Sequence, residues 1–519
     1  VILMAAVLRF RGLGDESLWG DEIRLVSLAR RPVTEVWQRT VFPPLHLVTL
    51  KMALALGDSE WTARLPSAAA GVLGVAAIMI LSAHLWDHRA ALPAGVLLAL
   101  NPFHLTASRE AKYFPLVVLL AILSFLCLWR ARRNRGWLWG FAVASLAGMY
   151  THTYAALLVA CSLPFAVAVV LRRSRGWLVL AATVGLIVLG GLPLFLRALE
   201  TETVGAESAI GDTPFEPLST AYYVRLLGTF GPGPRVWPAV VLLIPGAFAL
   251  LRRRFLGAFV LTSLAGPLVL VAVLRPPIYV DRYLAPSSPF LLLWLTGGVL
   301  TVARAAQRHG VVAVQAVAVV LALLLVPACG GIGVAPSKLG SSQEDWKGVA
   351  AHLSRVVQPA DVVVVAQERR GWKLLLMHYL RKPDGVPVIA AQEVPAAAGR
   401  VDSIGHRWWI MRGAERFAPR MNRVLRDGFN LQSFAGLVVV DRGGPCSGRA
   451  LCEETAWVMQ ARLLLPMVQW VKPFHYTVLG DLHVAAGDTT RAAAFYRRAL
   501  ALDPTLPRAR SGMDKVGRG

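Results

Sequence analysis

From about residue 64 to residue 330 the chain repeats one pattern, an apolar run followed by a short polar loop. The runs lie near 64–86, 90–106, 113–130, 137–151, 154–171, 177–196, 237–251, 255–274, 283–303 and 310–330. Each is close to the roughly 17 to 25 residues that cross a bilayer core as a helix. Residues 1–9 read as the tail end of another span, so about eleven crossings are expected. Two stretches ahead of Arg64 break the pattern. Residues 22–38 have helical periodicity with Arg24, Arg30 and Arg31 among apolar residues, and 44–56 are apolar but too short to cross. Both suit helices lying in the membrane interface, over about 22–56.

Beyond Pro336 the composition becomes ordinary. Asp345 to Val357 carries an amphipathic helix pattern and Asp361–Ala366 a Val-rich strand. A helix around 371–380, strands at 387–391 and 407–412, a helix around 415–427 and a strand at 436–441 follow. This alternation predicts a small, partly parallel α/β domain over 336–445. No Gly-rich phosphate loop opens any of its helices. Residues 446–519 read as a helical tail. In it Leu479-Gly480, Gly487-Asp488, Ala492, Tyr496, Ala499-Leu500 and Asp503-Pro504 match one tetratricopeptide repeat, a helix hairpin with small residues where its helices touch. One repeat cannot bury its own face, so it is expected to pack on the preceding helix, near 454–470, or on the α/β domain. Partner binding is a further use of such a unit.

A mean hydropathy of +0.54 excludes a soluble protein. The formal net charge of +23 invites a nucleic-acid reading, but the placement of the charge argues against nucleic acid. Arg130, Arg132, Arg133 and Arg135 share one short loop, Arg172, Arg173 and Arg175 another, Arg252, Arg253 and Arg254 a third, and Arg304 with Arg308 a fourth. Basic residues in alternate loops mark the cytoplasmic side of a membrane. Counting spans outward then puts Asp21, Arg109, His152, the 197–236 loop, Arg282 and everything beyond about 335 on the other side. The expectation is a multi-pass protein of a cell membrane, of the bacterial cytoplasmic type, with an extracytoplasmic C-terminal domain. Trp19, Trp61, Trp86, Trp129, Trp137 and Trp177 fall near span ends, as interfacial aromatics do. The 197–236 loop, with Glu200, Glu202, Glu207, Asp212 and Glu216 among Pro and Gly, reads as a lid or as a solvated connector.

Of the five cysteines, Cys127, Cys161 and Cys329 lie in spans and suit packing. Cys446 and Cys452 lie in the outer domain, where a bridge between them and a pair of free thiols are both allowed. The chain opens at Val1 with no initiator Met and no complete first span. It is therefore expected to be truncated there and to lack a cleavable signal peptide.

Candidate chemistry concentrates at the outer ends of spans. Asp21 and Glu22 stand side by side in Ser17-Leu18-Trp19-Gly20-Asp21-Glu22, with Arg24 just beyond. An acidic pair at a membrane surface suits cation binding, proton relay or general-base work, and ionisable groups there are costly enough to imply a function. Ser108-Arg109-Glu110-Ala111-Lys112-Tyr113, Tyr150-Thr151-His152-Thr153-Tyr154 and Val280-Asp281-Arg282-Tyr283 complete the set. Singly, each has a structural reading: Arg109 and Lys112 as caps or snorkelling chains, His152 as a bonded core residue, Arg282 as a headgroup anchor. Together, cations beside an acid suit a lipid phosphate, because guanidinium forks bind phosphate oxygens in pairs. The carboxylate suits an acceptor hydroxyl that must lose its proton. No Cys/His cluster has metal-ligand spacing. No cofactor is required by this chemistry, although an acidic pair can recruit a divalent metal.

Leu18-Trp19-Gly20-Asp21-Glu22, Phe42-Pro43-Pro44-Leu45, Ala63-Arg64-Leu65-Pro66-Ser67, Ser108-Arg109-Glu110-Ala111-Lys112-Tyr113 and Arg282-Tyr283-Leu284 stand in an order seen in one superfamily. Over roughly residues 1–330 the chain resembles the GT-C membrane glycosyltransferases, specifically the protein O-mannosyltransferase and aminoarabinose-transferase-like group (glycosyltransferase family 39-like). The resemblance implies a polyprenyl-phosphate sugar as donor, an extracytoplasmic glycan, lipid or protein as acceptor, and inversion at the anomeric carbon. It implies Asp21 as general base with Glu22 beside it. Donor phosphate would fall to Arg24, Arg109, Lys112, Tyr113, Arg282 and Tyr283, and further substrate contacts to Glu110, His152 and Arg64. Pro43 stands where the aminoarabinose transferases have a Lys, and the 197–236 loop is too short for the β-trefoil of protein mannosyltransferases. The fold expected is an α-helical polytopic GT-C domain over 1–335, then the α/β domain and the repeat tail.

A transporter or lipid-linked sugar flippase is the main rival reading. Carriers tend to show internal repeats with broken spans and charges near mid-bilayer. Here the charges lie at the outer ends and the two halves show no convincing similarity. A membrane-anchored scaffold would leave Asp21 and Arg109 without a role.

Overall fold

Among the described residues, the apolar runs of the sequence lie mainly on helix. The computed structural model, which describes residues 1–35, 44–170, 177–205, 219–274, 281–329, 344–366, 371–380, 386–398, 404–412, 428–434, 437–463 and 472–517, has helices Ile2–Phe10, Glu60–Leu85, Ala91–Ala99, Pro102–Ser108, Phe114–Ala131, Trp137–Met149, Ala155–Val170, Trp177–Gly205, Trp237–Leu251, Arg254–Leu274, Ser288–Ala303 and Val311–Ala328 at these runs. Fewer than eleven of them are long enough to cross alone. Among the described residues six pass on length and apolarity, or seven with the bent pair His88–Ala99 and Pro102–Ser108 taken as one. Trp137–Met149 has only 13 residues, about 20 Å of helix against a hydrocarbon core of about 30 Å. Pro44–Leu54 is likewise a short apolar helix. The helical periodicity expected over 22–38 meets a helix at Gly20–Ala29. Phe42, Pro43, the 172–175 arginines, residues 206–218 and the helix expected at 415–427 lie outside the described residues.

Contacts divide the chain into two units, Val1–Asp15 with Leu25–Gly340, and Glu16–Arg24 with Ser341–Gly519. In the first, the bend of 64° between Ala99 and Pro102 has a local cause. Proline cannot donate to the preceding turn, so carbonyls at the break lose their partners. Buried Arg9 takes their place: Nη1 donates to Ala99 O (3.2 Å), and Nη2 lies 3.4 Å from Leu98 O and 2.9 Å from His104 Nδ1. Asn101 fixes the other side of the bend. Its Oδ1 caps the His104 N–H at 2.9 Å, while Nδ2 donates to Phe230 O and Gly231 O. Gly71 lets this corner close, since a Cβ there would collide with the Ser108 and Arg9 side chains.

The second unit is built on a five-stranded sheet. Its strands are β1 (Val362–Val365), β2 (Val388–Ala390), β3 (Arg407–Arg412), β4 (Asn430–Phe434) and β5 (Leu437–Arg442), in the order β2-β1-β3-β5-β4. The first three are parallel and the last two pair antiparallel. Strand β4 was not evident in the sequence, because an edge strand half exposed along its length needs few apolar residues. Period-two alternation puts Arg407, Trp409 and Met411 on one face of β3. That face meets helix Gly448–Arg462: Arg407 pairs with Glu454 through two hydrogen bonds of 2.9 and 2.8 Å, and Trp409 Nε1 donates to Thr455 Oγ1 at 2.9 Å.

Leu451, Cys452, Val478, Leu479, Leu482 and Phe495 share one core with Val362, Val364, Trp409, Val438 and Val440. The tail beyond 446 is therefore continuous with the sheet domain instead of a body of its own. Helices Lys472–Ala485, Thr489–Leu502 and Pro507–Gly517 follow in sequence, and Gly480 and Gly512 both lie against the Tyr496 ring, leaving no room for a Cβ. The bridge allowed between Cys446 and Cys452 is not formed, and both are free thiols. Cys446 is held by reciprocal backbone bonds to Ile404, whereas the helix beginning at Gly448 carries Cys452 into the core, where burial pushes its thiol up to about 11.

Candidate active site

The Ala63–Ser67 motif works as a bracket. Arg64 and Ser67 share a face of helix Glu60–Leu85, three residues apart. Arg64 Nη1 donates to Leu13 O at 3.0 Å. Ser67 Oγ donates to Lys112 O at 2.6 Å and accepts from the Lys112 N–H at 3.2 Å. The segment Arg109–Tyr113 is thereby pinned at the end of helix Pro102–Ser108, with Glu110, Lys112 and Tyr113 all buried. Arg109, expected at the donor phosphate, is engaged with backbone. Its guanidinium donates to the carbonyls of Leu8 (3.1 Å), Arg9 (3.4 Å), Arg11 (2.7 Å) and Gly12 (3.1 Å), capping helix Ile2–Phe10. Carbonyls at a helix C-terminus lack intrahelical partners, and a cation there is doubly favoured. Arg64, expected at substrate, is likewise engaged with backbone.

Three loops converge beside that segment. The His152 ring lies 4.8 Å from Tyr113, 4.9 Å from Tyr283 and 5.6 Å from Tyr154 between centroids. Tyr154 and Tyr283 are 5.1 Å apart. The Tyr154 N–H donates to His152 Nδ1 at 3.3 Å, which leaves Nε2 to carry the proton of the neutral ring. Arg282 lies 6.0 Å from the Phe114 ring, and Phe114 is 4.6 Å from Tyr113. Neighbouring Asp281 accepts from Arg225 Nε at 2.7 Å, which ties the 3-10 turn Asp281–Ser287 to helix Thr220–Phe230. His46 joins from the helix that starts at Pro44, edge-on to Tyr113 at 5.9 Å, and the Leu45 N–H donates to Tyr150 O at 2.9 Å. Tyr113, His152 and Tyr283, with Arg282 beside Phe114, are thus brought together within one unit, and buried Lys112 directly precedes Tyr113 there. His46 and Phe114 were missed in the sequence, although His46 follows the Pro-Pro-Leu motif directly.

The acidic pair belongs to the other unit. Glu22 is fully buried, and its Oε2 accepts from the Trp19 N–H at 3.2 Å while the Ile23 N–H donates to Trp19 O at 2.9 Å. Glu22 therefore caps its own helix, the return half of a capping box. Asp21, in the first turn of the same helix, is half-buried, and Arg24 is exposed. Adjacent residues on a helix do not share a face, so the two carboxylates point in different directions. Among the described residues no three His, Cys, Asp or Glu side chains come together as metal ligands.

Residues 42–192 match the family model described as dolichyl-phosphate-mannose-protein mannosyltransferase. No curated protein is similar to this chain by sequence. Two solved structures share its fold: ArnT from Cupriavidus metallidurans in the apo state, at 15% identity and a TM-score of 0.58 over 85% of this chain and 96% of that one, and the same protein bound to undecaprenyl phosphate, at 16% identity and a TM-score of 0.56 over 85% and 97%. The many apolar helices make this chain a multi-pass membrane protein, which has the fold of these two structures and, over residues 42–192, matches the mannosyltransferase family model.

Proposed function

We propose that this protein transfers a sugar from a polyprenyl-phosphate donor to a hydroxyl of an extracytoplasmic glycan, lipid or protein, with inversion. The observation that carries the reading is the gathering of Tyr113, His152 and Tyr283 with Arg282 at helix ends, where buried Lys112 directly precedes Tyr113. Cations there suit a phosphate whose negative charge grows as the sugar C1–O bond breaks. Aromatic faces beside them suit the apolar face of a sugar ring. Asp21 takes the acceptor proton as the new C1–O bond forms, and the phosphate leaves on its lipid. Arg24 adds a further cation for the phosphate. Arg109 and Arg64 act by fixing backbone, and Glu22 acts by holding the helix that carries Asp21. The test is purified protein with a panel of radiolabelled polyprenyl-phosphate sugars and a membrane extract as acceptor. At least one donor is expected to give labelled product and nucleotide sugars none. Bound donor without product across the panel would favour a flippase instead.

The basic loops support a cytoplasmic side at 130–135 and an outer side for the C-terminal unit, in a bacterial cytoplasmic membrane. In a background without native cysteines, Asp15→Cys and Thr490→Cys, both at exposed positions, are expected to react with a membrane-impermeant maleimide in intact cells. Asn134→Cys should react only after lysis. Reaction of Asp15→Cys only after lysis overturns the orientation and, with it, an outer-face donor.

A further inference from the structure

Residues 16–24 group with 341–519 and not with the spans that flank them in sequence. The reason is a set of specific bonds. The Leu18 N–H donates to the Tyr379 hydroxyl at 2.7 Å, across 361 residues of chain. The Lys347 N–H donates to Ser17 Oγ at 3.2 Å. Lys347 lies in the first turn of helix Trp346–Val356, where backbone N–H groups have no intrahelical partner, so Ser17 fills a place that the helix itself leaves open. Gly20 faces the Trp372 ring, and Trp372 meets Trp346 edge-on at 5.1 Å. Tyr379 and Trp372 stand seven residues apart on helix Gly371–Tyr379 and so share a face. Ser17, Leu18 and Glu22 are buried, at 5%, 2% and 0% exposed. Asp21, by contrast, is only half-buried.

We propose that Tyr379 is a positioning residue, whose hydroxyl, with the Ser17–Lys347 bond, holds the loop that presents Asp21. The proposal rests on Asp21 being the base. It gives the C-terminal unit a part in turnover: from Leu18 to Ile23 the amides of Leu18, Trp19 and Ile23 are each tied, to Tyr379, Glu22 and Trp19 respectively. Removing the Tyr379 hydroxyl leaves a buried amide unpaired and the loop free to shift. A base displaced by about 1 Å can lose up to about a hundredfold in rate.

The test compares Tyr379→Phe, Asp21→Asn and the double variant in the full chain, with limited proteolysis to confirm folding. Tyr379→Phe is expected to lower kcat by about tenfold and leave donor KM within about twofold. The double variant is expected to be no slower than Asp21→Asn, because a loop that presents no base has nothing further to lose. Unchanged kcat in Tyr379→Phe, or a full additional loss in the double variant, overturns the positioning role and leaves the proposed function standing. Wild-type turnover in Asp21→Asn overturns both. If Tyr379→Phe fails to fold, Ser17→Ala carries the same comparison.

Discussion

Asp21→Asn in the full-length protein is expected to fold and insert normally and to lose at least about a hundredfold in turnover, the usual scale for a general base. Asparagine matches aspartate in shape, and Asp21 sits in the first turn of a helix that Glu22 already caps. The helix start and the buried bonds of Ser17 and Leu18 therefore survive the change. What is lost is the ability to accept a proton. An acceptor hydroxyl is a weak nucleophile until its proton is taken, so the loss falls on kcat and not on donor binding. The measurement is product formation at saturating polyprenyl-phosphate sugar, alongside donor binding by the same variant. Comparable turnover in both proteins removes Asp21 from the reaction, and a loss confined to donor binding reassigns it to the substrate site.

Glu454→Ala is expected to destabilise the C-terminal unit by about 3–5 kcal/mol, the scale for stranding one charge of a buried pair. The Arg407 and Glu454 side chains are 3% and 8% exposed. Their contact is bidentate, a geometry that places both charges well but leaves the guanidinium uncompensated once the carboxylate is gone. Arg407 Nη1 also donates to Gly405 O and to Gly444 O. Those carbonyls satisfy its hydrogen bonds without neutralising it. Replacing both partners with leucine is expected to recover most of the loss, because a buried pair contributes little over well-packed apolar residues. Protease susceptibility of the full chain against temperature reads this directly. Equal susceptibility of Glu454→Ala and the wild type would show that the pair is not what ties β3 to helix Gly448–Arg462.

Much of the fold was legible because its signals are local. Apolar runs placed the helices within a few residues, and the Val-rich runs became β1 and β5. Strand β4 stayed hidden, since its residues alternate between exposed and partly buried positions and none is a Val or Ile. Run length and helix length part at some of the expected crossings. Hydropathy counts residues between polar loops, whereas the helix ends at Trp137–Met149 and Trp237–Leu251 leave each helix shorter than a bilayer core. At the site, the sequence identified the loops that converge, but not what each cation does there. Arg109 and Arg64 are polar residues at span ends in any sequence reading. Only the folded chain puts the carbonyls of Leu8, Arg9, Arg11, Gly12 and Leu13 within their reach.

By itself, then, the sequence determined a helical membrane bundle followed by an α/β domain, and it pointed to an acidic pair with three polar loops as the place to expect chemistry. Periodicity, run length and adjacency are properties of neighbouring residues, and neighbours suffice to set them. Tertiary structure alone decided which unit holds the acidic loop, that Glu22 is buried as a cap while Asp21 is only half-buried, and that the tail shares the core of the sheet. Each of these depends on bonds or burial between residues far apart in the chain or on which face of a helix meets a partner. A one-dimensional pattern carries no distance across such separations, so those choices are made only when the chain closes on itself.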